Sequence, residues 1–292
     1  MGSYYSYDLG LTWTQTTANL FNTDGDEETS SLIFSDYTVH HIKEDTHKVA
    51  YPCVDVTDES SISQLHVGSM IDENDVIHLL YTKNGNNTDL FYQYYENGSW
   101  SGEESFTATD GSKARNVSID KDSTGALHVV YVTNTEVGGS NRIYYNTRSS
   151  GGTWGTRLHV DQDTYFSVSE ILVNSTFTNA VVIVDSNDDI HLSFTVSGKA
   201  DTNASVHGYL KHGIYNGSDF DLTVIYRGRE DVIRVQRSRM SIDSNDKLNI
   251  LFGRNRTTDV LTYDVYHTSS TDYGNTWSSE EKVADLDNAD GS

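Results

Sequence analysis

The sequence predicts an all-β protein assembled from repeated four-stranded antiparallel units, and three observations predict it. Tyr, Thr, Val and Ser are abundant, with 19 Tyr, and no long stretch spaces its apolar residues at the period of a helix. The string "SYDLGLTW", Ser6 to Trp13, returns as "STDYGNTW", Ser270 to Trp277. Between the two copies an acidic hairpin string recurs, which is the mark of a structural repeat.

The eight-residue string reads as a rigid hairpin turn. The carboxylate of Asp8 or Asp272 accepts bonds from backbone amides ahead of it, and Gly10 or Gly274 takes a positive φ. The Thr-Trp that follows starts a strand, and the indole of Trp13 or Trp277 lies over the turn. Ser6 and Ser270 open the same device, so all eight of these residues are expected to be structural.

The recurring hairpins are "MIDENDVIHLLY" (70–81), "SIDKDSTGALHVVY" (118–131), "IVDSNDDIHLSF" (183–194) and "SIDSNDKLNILF" (241–252). Each is an apolar strand end, an Asp, a polar turn and an alternating strand with His or Asn at a fixed place. Asp72, Asp120, Asp185 and Asp243 lead the four turns on this reading. A Tyr-rich strand follows each hairpin, and then a Gly-containing turn with an aromatic. These turns are "YENGSW" (95–100), "SSGGTW" (149–154), "YNGSDF" (215–220) and the intact copy at 270–277. The result is a four-stranded unit of roughly 50 to 60 residues, the size of a propeller blade.

With both full copies of Ser-x-Asp-x-Gly-x-Thr-Trp, and a worn repeat over about 66–286, the chain resembles the Asp-box or BNR-repeat β-propellers. That architecture is shared by sialidases, several polysaccharide lyases and sortilin-like receptors. The family sets its Asp box between the third and fourth strands of a blade, which implies that Tyr4 to Phe21 is the outer half of a blade. The expectation is one propeller domain over 1–292, with four repeat blades in 66–286 and an incomplete first blade. Residues 22–65 are an insertion holding two or three strands, or a degenerate blade. Five blades are preferred, with six the alternative.

Charge narrows the partners. At −23 and a pI near 4.6, the surface repels nucleic-acid phosphates and anionic membranes. No apolar run reaches membrane-spanning length, and "MGSYYSYD" lacks the apolar core of a signal peptide, so an export signal is expected upstream or already removed. Cys53 is the sole cysteine, which excludes an internal disulfide and CxxC chemistry. Sequons begin at Asn86, Asn97, Asn116, Asn174, Asn203, Asn216 and Asn255, in keeping with an extracellular or cell-surface glycoprotein that is part of a larger polypeptide or assembly.

Two residue groups invite a metal reading. His78, His128 and His191, with Asn249 at the fourth position, come from separate sheets, so they read as strand residues bonded to neighbouring backbone. Asp24, Asp26 and Glu28 in "NTDGDEE" offer oxygens to calcium but lack the spacing of an EF-hand. No cofactor is expected.

The strongest candidate site is cationic. "RGREDVIRVQRSR" carries Arg227, Arg229, Arg234, Arg237 and Arg239, nearly half of the arginines in a very acidic chain. "SKARNVSID" brings Lys113 and Arg115, and "SQLHVGSMID" brings His66, to the same lead-in of other blades. His66, Arg115, Arg234, Arg237 and Arg239 are therefore expected around one central mouth. There they would clamp a carboxylate or sulfate, unless they are spent on ion pairs with the many Asp and Glu.

The resemblance implies three activities. A sialidase would show Arg-Ile-Pro, three Arg for the substrate carboxylate and a Tyr nucleophile assisted by Glu. Here the only proline is Pro52 in "AYPC", and no Arg precedes Arg115. A polysaccharide lyase would use Arg115, Arg237 or Arg239 to neutralise a uronate and His66 or Tyr165 as base. The preferred expectation is a surface recognition module for glycans, acidic ones included. The alternative is a polysaccharide lyase or glycoside hydrolase acting on an anionic polysaccharide.

Overall fold

Each acidic hairpin of the sequence becomes the inner half of one antiparallel sheet. The computed structural model describes residues 64–83, 86–107, 113–134, 142–160, 165–166, 170–200, 206–228, 235–255 and 263–284, with four short strands nearer the start. Of those four, β1 (Tyr4–Tyr5) pairs with β2 (Thr14–Gln15), and β3 (Ser30–Ile33) pairs with β4 (Val39–Ile42).

The first full sheet holds β5 (Gln64–Ile71), β6 (Ile77–Lys83) and β7 (Asn86–Glu96), with β8 (Ser99–Trp100) and β9 (Glu104–Thr107) sharing its outer edge. The second is β10 (Lys113–Lys121), β11 (Leu127–Asn134), β12 (Arg142–Arg148) and β13 (Leu158–His159). The third is β14 (Tyr165–Phe166), β15 (Glu170–Val184), β16 (Ile190–Ala200), β17 (Val206–Tyr215) and β18 (Phe220–Arg227). The fourth is β19 (Val235–Ile242), β20 (Leu248–Asn255), β21 (Tyr263–Ser270) and β22 (Glu281–Ala284). Strands β5, β10, β15 and β19 pack against one another in succession, so the sheets are blades of a β-propeller.

The second strand is buried on both faces in the first three blades, over 77–82, 127–133 and 190–196, whereas Leu251 on the second strand of the fourth is exposed. Leu80, Leu90, Tyr92, Ala114, Leu127 and Val129 form one buried cluster across the first and second blades. Val130, Tyr145, Ala180, Leu192 and Phe194 continue the core into the third, and Leu210, Val235, Ile250 and Phe252 into the fourth. The core therefore runs around the axis between blades, with no single central layer.

One carboxylate makes each inner hairpin. Asp72 Oδ1 accepts the amides of Asn74 and Val76, both at 2.9 Å, and Asp185 Oδ1 those of Asn187 and Asp189 at 2.8 and 2.9 Å. Asp243 repeats this with Asn245 and Lys247. In the second blade the turn is led by Asp122, which accepts from Thr124 and Ala126 at 3.0 and 2.8 Å, and so Asp120 does not lead it. Asp120 sits earlier on β10 and accepts the amide of Val184 from the next blade at 2.7 Å. The pair β3–β4 has the same hairpin length, with Ile33 opposite Val39 as Ile71 is opposite Ile77.

The second eight-residue turn lies between the last two strands of its blade, β21 and β22. Asp272 accepts Thr276 N at 2.8 Å, Thr276 Oγ1 at 2.5 Å and Ser270 Oγ at 2.7 Å. These donors, Thr276 first, hold its carboxyl below the usual range. Gly274 has φ 82°, and Trp277 Nε1 donates to its carbonyl at 3.1 Å. The first copy, Ser6, Asp8, Gly10 and Trp13, lies outside the described residues, as do Asp24, Asp26 and Glu28.

Candidate functional site

The recurring histidines are buried links between side chains, where sequence reasoning expected backbone partners. His78 Nδ1 bonds the hydroxyl of Tyr92 at 2.7 Å, with Nε2 3.6 Å from Asp72. His128 bonds Tyr145 at 2.6 Å and Asp122 at 3.2 Å, and His191 bonds His212 at 3.2 Å and Asp185 at 3.4 Å. Asn249 stands in the same place and accepts from His267 at 3.1 Å. Burial holds His78 below and Tyr92 and Tyr145 above their ordinary ranges. Being buried, His78, His128, His191 and His212 are closed to a ligand. Among the described residues, no three His, Cys, Asp or Glu gather to hold a metal ion.

The repeated irregularity of the inner strands is a better candidate. Each of β5, β10, β15 and β19 breaks register at one matching point: between Leu65 and Gly68, Arg115 and Ser118, Thr178 and Val181, and Gln236 and Arg239. The first residue inside the break is His66, Asn116, Asn179 or Arg237. Asn116, Asn179 and Arg237 are left-handed, with φ of 47°, 51° and 56°. Such a bulge inserts one extra residue and re-aims a side chain, and bulges collect at barrel rims and active sites. Asn tolerates the left-handed region through its short polar side chain, whereas Arg gains nothing local from it.

At the breaks or immediately after them the blades interlock. A Cβ on Gly68 would come within 2.8 Å of the Val117 carbonyl oxygen, Ser118 Oγ accepts Val182 N at 3.2 Å, and Ser238 Oγ donates to Asn179 O at 3.2 Å. The neighbouring blade thus holds the backbone on one side of the bulge. Asn116 and Asn179 are half-buried and Arg237 is exposed.

These positions divide the expected arginine cluster. Arg237 has His66 and Asn116 as its counterparts, not Arg115, which pairs with Val132 one residue before the bulge. Arg239 is exposed and donates to Ser238 O at 3.1 Å, in the register position of Gly68 and Ser118, where the other blades meet their neighbours. Arg227 is exposed on the outer strand β18, with its guanidinium 5.7 Å above the ring of Tyr209. Tyr165 is placed by its backbone pairing with Ile171 on the short strand β14. Arg234 and the side chains of His66, Arg115 and Tyr165 lie outside the described residues. Asn116 and Asn179 escaped sequence reasoning because amides carry no charge signal, although both lie twelve residues before the hairpin histidine, as His66 does.

No family model matches the sequence, and no curated protein matches it significantly. Solved structures do match the fold. A protein of unknown function from Dyadobacter fermentans has a TM-score of 0.55 at 9% identity, covering 77% of this chain and 70% of that one. An α-L-arabinofuranosidase from Fusarium graminearum scores 0.56 at 11% identity, covering 77% and 67%. An α-L-arabinanase from Penicillium chrysogenum complexed with arabinobiose scores 0.51 at 10% identity, covering 72% and 63%. What is shared at such identities is the architecture, a β-propeller found in glycoside hydrolases.

Proposed function

We propose that the chain binds a glycan at the leading ends of its inner strands, through Asn116, Asn179 and Arg237, with His66, Arg115, Arg234 and Arg239 nearby in sequence. The observation that carries this reading is the set of three non-glycine residues held left-handed at one register in successive blades. Backbone strain of this kind persists where function maintains it. Amides supply a donor and an acceptor to each sugar hydroxyl, and an exposed Arg supports an anionic substituent on the ligand. Carbohydrate as the ligand class is supported by the arabinose-containing ligand of one fold neighbour. The chemistry of the turn at Ser270 to Trp277 supports placement among the Asp-box, sialidase-like propellers. A secreted or surface location fits this ligand.

The second reading is a glycoside hydrolase, favoured by the arabinan-acting enzymes among the fold neighbours. It requires a pair of carboxylates flanking the scissile bond. The four bulge positions supply none, being His66, Asn116, Asn179 and Arg237.

A glycan panel that includes arabinan, arabinobiose and uronate polymers tests both readings. Binding by the parent chain, lost in Asn116→Gly and Asn179→Gly without loss of thermal stability, is the expected result, because Gly keeps the left-handed backbone. Release of reducing sugar from arabinan would move the assignment to the hydrolase. No binding and no product across the panel would end the glycan reading.

A further inference from the structure

Among the described aromatic residues Tyr273 alone is exposed, at 43%, and it makes neither a ring contact nor a hydrogen bond through its hydroxyl. Half-buried rings elsewhere are engaged, as Tyr95 is with Trp100 at 5.3 Å and Tyr215 with Phe220 at 5.2 Å. Tyr273 is also left-handed, with φ 59°, and Gly274 follows at 82°. The turn between β7 and β8 has the same left-handed pair, Asn97 at 51° and Gly98 at 84°. Asn tolerates that region through its short polar side chain, whereas a bulky aromatic residue is strained in it. The turn itself is held by Ser270, Asp272 and Trp277, through bonds in which the Tyr273 side chain has no part.

Strand register puts this turn at the hairpin end of the fourth blade. Leu248, beside the inner hairpin, pairs with Ser270, whereas at the bulged end Val235 pairs with Arg254 and Asn255 with Tyr263. Tyr273 and Arg237 therefore lie at opposite ends of one blade. Their surroundings also differ in charge. Residues 270–279 contain no Lys, Arg or His; Asp272 is their single charge, and the exposed Glu280 and Glu281 follow. The blade's Lys282 and Arg254 already face Asp264 and Glu280. Thr271 and Asn275 flank Tyr273 in sequence and are exposed. Asn275 Nδ2 donates to Asp272 O at 2.6 Å, which fixes the amide and leaves its side-chain oxygen to accept.

We propose that Tyr273 is a stacking platform for a neutral sugar, a second carbohydrate contact at the far end of the blade from the bulges. The proposal rests on the carbohydrate reading of this chain but not on its bulge site. A sugar ring presents C–H groups on its face and hydroxyls at its edge. The Tyr273 ring is a partner for the face, and the Thr271 hydroxyl and Asn275 side-chain oxygen are partners for the edge. An acidic sugar is disfavoured there because Asp272, Glu280 and Glu281 repel it. The strain at φ 59° is then maintained for the ligand and not for the turn, which the first blade builds with Asn97.

Titration calorimetry of the intact chain tests the platform, with linear arabinan as the neutral probe and a uronate polymer beside it. The parent chain should bind arabinan with an affinity that added salt leaves unchanged, since no charge pair is involved. Tyr273→Ala and Tyr273→Gly should each weaken that binding about tenfold, while Tyr273→Phe, which keeps the ring, should stay within about twofold. The Gly variant should melt about 2 °C above the Ala variant, because Gly takes this backbone without strain. Arabinan binding lost in the Tyr273 variants but kept in Asn116→Gly and Arg237→Gly would support the platform and remove the bulges from the site. Arabinan binding that survives Tyr273→Ala and Tyr273→Gly, or a parent chain that binds the uronate polymer alone, would overturn the platform and leave the bulge site standing. Binding of neither probe would end both. A concentration-dependent dimer dissolved by Tyr273→Gly would also overturn the proposal, by assigning the ring to a second copy.

Discussion

The indole of Trp277 meets the imidazole of His212 edge-on at 5.1 Å, although the two residues belong to neighbouring blades. His212 is in turn stacked on His191 at 5.3 Å, and His191 reaches the turn carboxylate of Asp185. An Asp–His–aromatic chain therefore runs across each of the first three blades and ends on an aromatic from the next. Trp277→Ala should cost about 2 to 3 kcal/mol, below the range for a fully buried Trp because the ring is only half-buried. Urea denaturation checks this. A loss of glycan binding with stability intact would contradict the structural role.

Gly274 is the tightest point of that joint. A Cβ there would stand 2.2 Å from His212 Cε1, and the residue has φ 82°. Gly98 has φ 84° with nothing within 4 Å of such a Cβ. Gly98→Ala should therefore cost about 1 kcal/mol, the backbone part alone. Gly274→Ala should cost about 2 to 4 kcal/mol, because the clash adds to it. In a His212→Ala background the two substitutions should become equal, and a persistent gap would show that another contact is responsible.

The third and fourth blades place an imidazole, His212 or His267, where the first two place a Tyr hydroxyl, and the buried His212 gives the fold an acid-sensitive joint. Burial, and after it His191, holds His212 down to about 3, against 6.5 for an ordinary histidine. The unfolded chain takes up that proton first, so stability should fall as pH drops from 6.5 towards 3. His78, also lowered by burial, acts in the same direction. Asp72 is pushed up by burial, but the Lys121 ammonium and the amides of Val76 and Asn74 outweigh this and hold it at about 2. Its contribution is thus kept above 3.8 and lost only as pH falls through about 2. His212→Tyr, which copies Tyr92 and Tyr145, should flatten the profile between 6.5 and about 4, measured as Tm against pH.

Two ion pairs differ in what they hold. Glu104 accepts both Nε and Nη2 of Arg148 at 2.9 and 2.6 Å and the indole N–H of Trp154 at 3.1 Å, with Arg148 4.8 Å above the ring of Tyr92. Arg254 and Glu280 approach only to 3.6 Å, and both are more open to solvent. Glu104→Ala should cost about 2 kcal/mol, since it strands a half-buried guanidinium and an indole N–H. Glu280→Ala should cost under ~0.5 kcal/mol. Equal costs in chemical denaturation would refute the distinction.

Much of the scaffold was legible because Asp turns and alternating strands leave a local signature. The turn carboxylates are no exception: Asp72, Asp122, Asp185 and Asp243 each precede the hairpin His or Asn by six residues, a spacing that separates Asp122 from Asp120. The site was harder to read. A bulge inserts one residue without changing composition, so Arg115 looked like the partner of Arg237 when the register aligns Asn116 with it. The exposure of Leu251 was hidden for another reason: whether a leucine on the second strand is covered depends on the next blade, which no local pattern encodes.

Arg237 separates function from fold most cleanly. Its φ of 56° is one that a glycine adopts without strain, and its side chain is exposed. Arg237→Gly should remove left-handed strain and change stability by no more than about 1 kcal/mol, with a gain expected because no buried contact is lost. Arg237→Ala keeps the strain without the guanidinium, and should be the less stable of the two. If the bulge register is where ligand binds, both variants should lose affinity for an anionic glycan, and added salt should weaken the parent chain's binding more than theirs. The decisive comparison is Arg237→Gly: a variant more stable than the parent and poorer at binding shows that the strain serves the ligand. A stable variant with undiminished binding would remove Arg237 from the site and leave the bulge as a device for fitting one blade to the next.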